Sequence, residues 1–194
     1  DIYAPRGRQQ SRHQWGIDRD AFVVLLIASD IRHQRKGVHL LAGELTDRAT
    51  LHDRVTLVAA GDSCDPSDKA FPFQALGRVD TEGQLVDLYN AADLMLCTSL
   101  EDNLPNTVME SMACGTPVLA FASGGIPDMI DHEQTGWIVP RGDRKTMLDW
   151  VERFCDDPKS LESVGLAARE YAVEHYSLKQ HASALENLYR SFLK

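Results

Sequence analysis

The strongest constraint on the fold of this chain is a rhythm of short apolar runs separated by segments of helical spacing. The runs are Phe22 to Ala28, Val55 to Ala60, a shorter stretch near Ala75 to Val79, Leu94 to Cys97, Val118 to Phe121 and Trp137 to Val139. Between them, Val38 to Leu45, Glu82 to Ala91 and Asn106 to Ala113 read as helices, and Ile126 to Ile130 as one helical turn. Strands alternating with helices form βαβ units, because a parallel neighbour is reached only through a crossover connection. The pattern predicts an α/β fold, a parallel sheet of about six strands with helices on both faces. Ligands in such sheets bind beyond the carboxyl ends of the strands. From Asp143 onward the spacing is helical, with breaks at Asp157-Pro158 and near Tyr176-Ser177, so C-terminal helices should follow the sheet. Residues 1–20 are polar and basic, punctuated by Pro5-Arg6-Gly7-Arg8, and read as a leader or interdomain linker.

Several chemistries are excluded by what the loops lack. The first strand runs into Ala28-Ser29-Asp30-Ile31-Arg32, with no glycine for a G-x-G-x-x-G dinucleotide turn, and no G-x-x-x-x-G-K-[ST] string occurs. The histidines at 13, 33, 39, 52, 132, 175 and 181 form no H-E-x-x-H pair, and there is no G-x-S-x-G nucleophile elbow. Cys64, Cys97, Cys114 and Cys155 contain no C-x-x-C spacing, so reduced thiols in a cytoplasmic setting are expected rather than a zinc ribbon or redox pair. The longest wholly apolar run, Ala21 to Ala28, is far short of the roughly 20 residues of a membrane span, and no cleavable signal is present. With 43% hydrophobic and 25% charged residues the chain can bury a core, and its net charge of −9 argues against a nucleic-acid partner. A small anionic ligand stays open, since helix N-termini and a few cations hold phosphate in a net-acidic protein.

The informative segment runs from Ser99 through Glu101-Asp102-Asn103-Leu104-Pro105-Asn106-Thr107 to Glu110 and on to Pro117. It follows a strand, so its loop should open at the carboxyl edge of the sheet. Pro105-Asn106 can start the next helix, with Asn106 as its N-cap, aiming free N–H groups and the positive end of the helix dipole at the crevice. Glu110 sits about one turn inside that helix, and Asp102 lies eight residues earlier. Carboxylates so placed can accept hydrogen bonds from hydroxyls at two points along one ligand. The same helix also has Thr107, Glu110, Ser111 and Cys114 on one face opposite Val108, Met109 and Met112, a pattern equally met if Glu110 points to water.

These residues, taken with Leu85-Val86-Asp87-Leu88-Tyr89-Asn90-Ala91-Ala92-Asp93, Gly124-Gly125-Ile126-Pro127-Asp128 and Gly136-Trp137-Ile138-Val139-Pro140, resemble the retaining glycosyltransferases of family 4. Glu-Asp-Asn-Leu-Pro-Asn is similar to exopolysaccharide and colanic-acid-type members. The resemblance, over roughly residues 20 to 193, implies one Rossmann-like half of a GT-B fold, the half that holds a nucleotide diphosphate sugar. Residues 21–176 would form that domain, and 177–194 a C-terminal helix crossing back to an N-terminal domain outside this chain. An apolar face including Leu185, Leu188, Tyr189 and Phe192 would then be exposed, and the start at Asp1 agrees with more chain upstream.

The resemblance also implies roles. Asp102 and Glu110 match the family's E-x7-E acids: Asp102 would face the donor sugar near the reacting centre, and Glu110 would bind the ribose hydroxyls. Lys36 matches the lysine that contacts the diphosphate and stabilises its departure, although by itself it reads equally as a solvated loop cation. Asn103, Leu104 and Pro105 would line the sugar and phosphate pocket through their backbone, with Asn106 and Thr107 presenting helix N–H groups. Gly77 and Arg78 fall where the family's backbone meets the base, Arg78 being equally readable as an exposed strand-end residue. Two departures matter: Glu101 stands beside Asp102, leaving open which acid faces the sugar, and the usual Gly-Arg before the lysine is missing, leaving Arg32 and Arg35 as candidates for a second phosphate cation.

The activity implied is transfer of a sugar from a nucleotide diphosphate sugar to an acceptor hydroxyl with retention, in polysaccharide or glycolipid synthesis. No cofactor or metal is implied, the acceptor sugar or glycolipid would meet the missing domain, and this chain alone should be inactive. The expected location is cytoplasmic, with membrane association of the longer enzyme left open. A non-catalytic nucleotide-binding module and a GT-B-like nucleotide-sugar epimerase are the alternatives.

Overall fold

A computed structural model describes residues 2–48, 51, 54–64 and 73–192. Asp1, His52 and residues 193–194 of the expected C-terminal helix lie outside the described residues. Among those described, six parallel strands form one sheet: β1 (Phe22–Ile27), β2 (Val55–Ala60), β3 (Gln74–Ala75), β4 (Leu94–Cys97), β5 (Val118–Phe121) and β6 (Trp137–Val139). Their order is β3-β2-β1-β4-β5-β6. The helices are α1 (Arg8–Gln14), α2 (Val38–Asp47), α3 (Glu82–Ala91), α4 (Asn106–Ala113), α5 (Arg144–Asp156), α6 (Ser160–Tyr176) and α7 (Leu178–Phe192), with 3-10 turns at Gln34–Lys36 and Ile126–Asp128. The chain winds outward from β1 in one direction and from β4 in the other. The crevice between those two central strands is therefore the switch point at which such sheets bind ligands.

The apolar runs become central strands because both of their faces are covered. Phe22, Val24 and Leu26 pack with Val38 and Leu41 of α2 and Met147 and Val151 of α5. Val23 and Leu25 pack on the other face with Val86 and Tyr89 of α3 and Val108 and Met112 of α4. Helix starts follow local chemistry: Thr81 and Gln84 form a capping box at α3, and the Asp143 carboxylate accepts from Thr146 N (3.1 Å) at α5. All four cysteines are free. Burial pushes the Cys64 thiol up to about 11 and that of Cys114 to about 12.

Four local expectations change. The strand expected near Ala75 to Val79 is confined to Gln74–Ala75. One more ladder-like bond, Leu76 N to Ala59 O (2.8 Å), closes it before Gly77 turns away with φ 77°. The helical turn ends at Asp128 rather than Ile130, and β1 ends at Ile27, one residue short of Ala28.

The fourth change concerns residues 2–20, which contain α1 and lie against the domain. Arg12 is the reason. Its Nη2 meets Asp93 Oδ2 at 2.7 Å, its Nε donates to Ala91 O (2.9 Å), and its Nη1 donates to Arg19 O and Ala21 O (2.7 and 2.9 Å). Asp93 in turn accepts from Val23 N (2.7 Å), tying this helix to β1. A guanidinium only 4% exposed, once removed, leaves buried carbonyls and a carboxylate without donors. Arg12→Met is expected to destabilise the domain by about 3 kcal/mol and lower Tm by about 10 °C. A thermal melt within 2 °C of wild type, a window well inside that expectation of about 10 °C, would show that the contact is dispensable.

α7 follows α6 with Leu185, Leu188, Tyr189 and Phe192 exposed, as its expected face requires. No helix among the described residues is long and apolar enough to cross a membrane.

Candidate functional site

Two loops, one after β1 and one after β4, are stitched together over the switch point. The first is the 3-10 turn Gln34–Lys36, begun by the His33 imidazole accepting from Arg35 N (3.3 Å) and ended by Gly37 at φ 67°. A side chain at Gly37 would put its Cβ 2.1 Å from the Thr98 carbonyl oxygen, so close approach of the loops needs glycine there. Thr98 Oγ1 donates to Lys36 O (2.6 Å), and Leu100 N to Arg35 O (2.7 Å). The result is a shallow cleft lined by Ala28, Ile31, Lys36, Thr98, Ser99 and Thr107, among others.

Lys36 and Asp102 meet in it. Lys36 Nζ lies 2.7 Å from Asp102 Oδ2, and Ser99 Oγ donates to the same oxygen at 3.3 Å. Glu101 is 75% exposed, with Arg141 3.6 Å away. The neighbouring acids thus separate: Asp102 turns to the lysine and Glu101 to solvent.

Asn103 and Leu104 complete the loop, which rests on Gly124 and Gly125. Gly125 N donates to Asn103 O at 2.9 Å, and a Cβ on Gly124 would fall 1.7 Å from Asp102 O. Helix α4 begins with Pro105 as N-cap and without a capping side chain, so Asn106 is its first helical residue rather than the cap. Proline offers no side-chain acceptor, which leaves the N–H groups of Asn106 and Thr107 open to a ligand, while Val108 N donates to Pro105 O (3.0 Å).

Glu110 is not directed to water. Its carboxylate accepts from Tyr89 Oη of α3 at 2.8 Å. Burial raises its pKa, while the hydroxyls of Tyr89 and Tyr3 act the other way. The polar face assumed for α4 is likewise not a solvent face, since Ser111 is fully buried and donates to Thr116 O (2.9 Å).

The remaining candidates are more peripheral. Arg32 and Arg35 are exposed on the turn that carries Lys36, with Arg32 N donating to Asp30 Oδ1 (3.0 Å). Gly77 O accepts from Gly61 N (2.9 Å), placing it beside the carboxyl end of β2. Arg78 Nε bonds to Asp80 Oδ1 (2.6 Å) with Asp62 Oδ1 3.6 Å away, so its guanidinium faces its own loop acids. Ser99, Thr98 and Tyr89 are site residues that the sequence reading did not single out. Tyr89 stood inside a quoted motif, but only the fold shows that it reaches Glu110. Among the described residues, no three His, Cys, Asp or Glu side chains converge in a way that could hold a metal ion.

Comparison with known proteins identifies the family and the fold of the domain. The family model for glycosyl transferases group 1 matches residues 22–157. D-inositol 3-phosphate glycosyltransferase of Saccharomonospora viridis is 34% identical over 97% of this chain and 47% of its own length. The chain thus spans about half the length of that relative. Among solved structures, sucrose-phosphate synthase from Thermosynechococcus elongatus matches with a TM-score of 0.83 at 23% identity, over 99% of this chain and 50% of that one. Anabaena HepE in complex with UDP and glucose matches with a TM-score of 0.79 at 20% identity, over 96% of this chain and 53% of that one. These two likenesses establish a GT-B-type domain fold.

Proposed function

The chain belongs to the group 1 glycosyl transferases, and from that membership we propose that it is the donor-binding half of an enzyme that transfers a sugar from a nucleotide diphosphate sugar to an acceptor hydroxyl with retention of configuration. The observation that carries this reading is the convergence of Lys36, Asp102 and an uncapped helix start at the switch point of a parallel sheet. A cation and free N–H groups on one side of a cleft suit a diphosphate. Asp102 stands where it can accept from sugar hydroxyls once a phosphate shares the lysine, and Glu110 further along α4 is the acceptor for ribose hydroxyls. Asn103, Leu104 and Pro105 line the path between them. UDP in HepE makes uridine diphosphate the first nucleotide to test. For the whole protein the same proposal includes an acceptor sugar or glycolipid, retention of configuration, a role in polysaccharide or glycolipid synthesis and a cytoplasmic location.

When the donor bonds break, negative charge grows on the β-phosphate, and a preplaced ammonium lowers that barrier because it needs no reorganisation. Lys36 is the residue given that task, with Arg32 and Arg35 close enough in sequence to add long-range attraction. Gly77 and Arg78, at the end of the β2–β3 side, are assigned to the base.

Calorimetric titration with nucleoside diphosphates tests the binding half of the reading. Glu110→Gln is expected to weaken binding about tenfold, as loss of a charged acceptor does. The pH dependence adds a sign. A carboxyl with a raised pKa takes up its proton at higher pH than an ordinary glutamate, so wild-type affinity should decline on the acid side above the pH at which a free glutamate titrates. The Glu110 part of that decline should vanish in Glu110→Gln, leaving only the titration of the nucleotide's own terminal phosphate, whose second pKa is about 6. The same raised value means that ionised Glu110 costs stability at neutral pH, a cost relieved as pH falls through the folded value toward the lower, unfolded one. Equal affinities and equal pH profiles would remove Glu110 from the nucleotide site.

A further inference from the structure

The first described residues of the chain are fastened alongside α3 and α4, remote in sequence from every site motif. Asn90 of α3 grips them twice, accepting from Arg6 N (2.6 Å) and donating to Ala4 O (3.0 Å). Arg6 adds Asp87 at 2.8 Å, and Arg169 of α6 donates both to Tyr3 O (2.7 Å) and to Ala113 O at the end of α4. So held, the Tyr3 ring stands edge-on to Tyr89, centroids 6.4 Å apart at 61°. Tyr89 Oη in turn donates to the Glu110 carboxylate at 2.8 Å, and the Tyr3 phenol is near enough to favour its ionised form.

We propose that Tyr3 and Tyr89 are positioning residues that keep the Glu110 carboxylate ionised and fixed as a hydrogen-bond acceptor, so that seating of residues 2–6 is coupled to nucleotide affinity in the cleft. The proposal rests on the donor-binding reading of Glu110. A half-buried carboxylate without donors gains by taking up a proton, and a protonated carboxyl has lost much of its value to a ribose hydroxyl. Two phenols oppose that uptake while leaving part of the carboxylate's acceptor capacity, about four lone-pair sites, for a ligand. Other groups facing this carboxylate are Glu82 of α3, which favours the neutral form, and Cys114, whose thiol burial keeps protonated up to about 12. Tyr3 itself is pushed up to about 12, first by burial and then by Glu110, so it stays a donor across neutral pH.

The test is a carbon-13 titration of the Glu110 carboxyl in the free chain for wild type, Tyr3→Phe and Tyr89→Phe, which keep the rings and lose only the hydroxyls. The midpoint is expected to rise by about half a pH unit or more in each variant. Titration with uridine diphosphate at pH 8 and pH 6, about two units apart, should show a larger loss of affinity at the lower pH in the variants than in wild type. An unmoved midpoint overturns the proposal whatever the nucleotide does. If Tyr3→Phe melts as low as Tyr3→Ala with the midpoint unmoved, Tyr3 is only structural and the proposal fails. A raised midpoint with nucleotide affinity unchanged at both pH values overturns the donor role of Glu110, and with it the coupling.

Discussion

Replacing Lys36 by alanine is expected to weaken nucleoside diphosphate binding about 100-fold and to slow sugar transfer by the whole protein about 1,000-fold. In the free chain the ammonium lies 2.7 Å from Asp102, with the two side chains only 18% and 17% exposed. A cation shielded to that degree meets a phosphate in surroundings of lower effective dielectric than bulk water, so the contact is worth more than that of a surface lysine. Its position is also fixed, because the turn that carries it is closed by Gly37 and tied through Thr98 and Leu100 to the loop after β4. Charge on the β-phosphate is greater in the transition state than in the bound donor, which is why transfer should fall further than affinity. Lys36→Arg separates the two effects. It keeps the charge but replaces a compact ammonium with a planar fork, so binding should recover more than turnover. Calorimetry reads the first quantity and single-turnover transfer the second. Wild-type affinity in Lys36→Ala would take this residue out of the phosphate site.

What could be read in the sequence, and what could not, divides along the range of the interactions. β2, β4, β5 and β6 run between the residues that their apolar runs mark, because burial on both faces leaves few positions for a polar residue. α3 begins where the Thr81…Gln84 pair sets it. α1 escaped notice because nothing in its own composition is apolar enough to show packing. It is held by Arg12 to Asp93, 81 residues away, and such a partner has no local trace. The site divides in the same way. Lys36, Asp102 and Glu110 stand in recognisable strings, and the structure brings Lys36 and Asp102 into contact. Which of two adjacent acids turns inward depended on Lys36, Ser99 and Arg141, all from outside the pair. The helical wheel left Glu110 undecided, because a polar face need not be a wet one. Ser111 and Cys114 on that face are buried, since α4 packs there against α6.

Gly124→Ala is expected to destabilise the domain by about 4 kcal/mol, lowering Tm by about 12 °C, and to abolish measurable nucleotide binding in the molecules that remain folded. Two costs combine at this position. Its φ of 53° is left-handed, and an added Cβ would stand 1.7 Å from the Asp102 carbonyl oxygen. Backbone cannot rotate out of the way as a side-chain tip can, so the loop that carries Asp102 must move. Neighbouring glycines allow the costs to be taken apart. Gly142 has φ 78° and nothing within 4 Å of an added Cβ, so Gly142→Ala carries only the dihedral strain, about 1 kcal/mol. Gly125 sits at φ −89°, a conformation any residue adopts, but its Cβ would meet Asn103 O at 2.3 Å. Gly125→Ala therefore carries only the contact, about 3 kcal/mol, and with it the displacement of the loop. Thermal melts of the three variants should rank Gly124 below Gly125 and Gly125 below Gly142. Nucleotide affinity should follow the contact and not the strain, being lost at 124 and 125 and retained at 142. Wild-type affinity in the folded molecules of Gly124→Ala or Gly125→Ala would mean that this glycine pair supports the fold alone, and that Asp102 is placed by Lys36 and Ser99 without it.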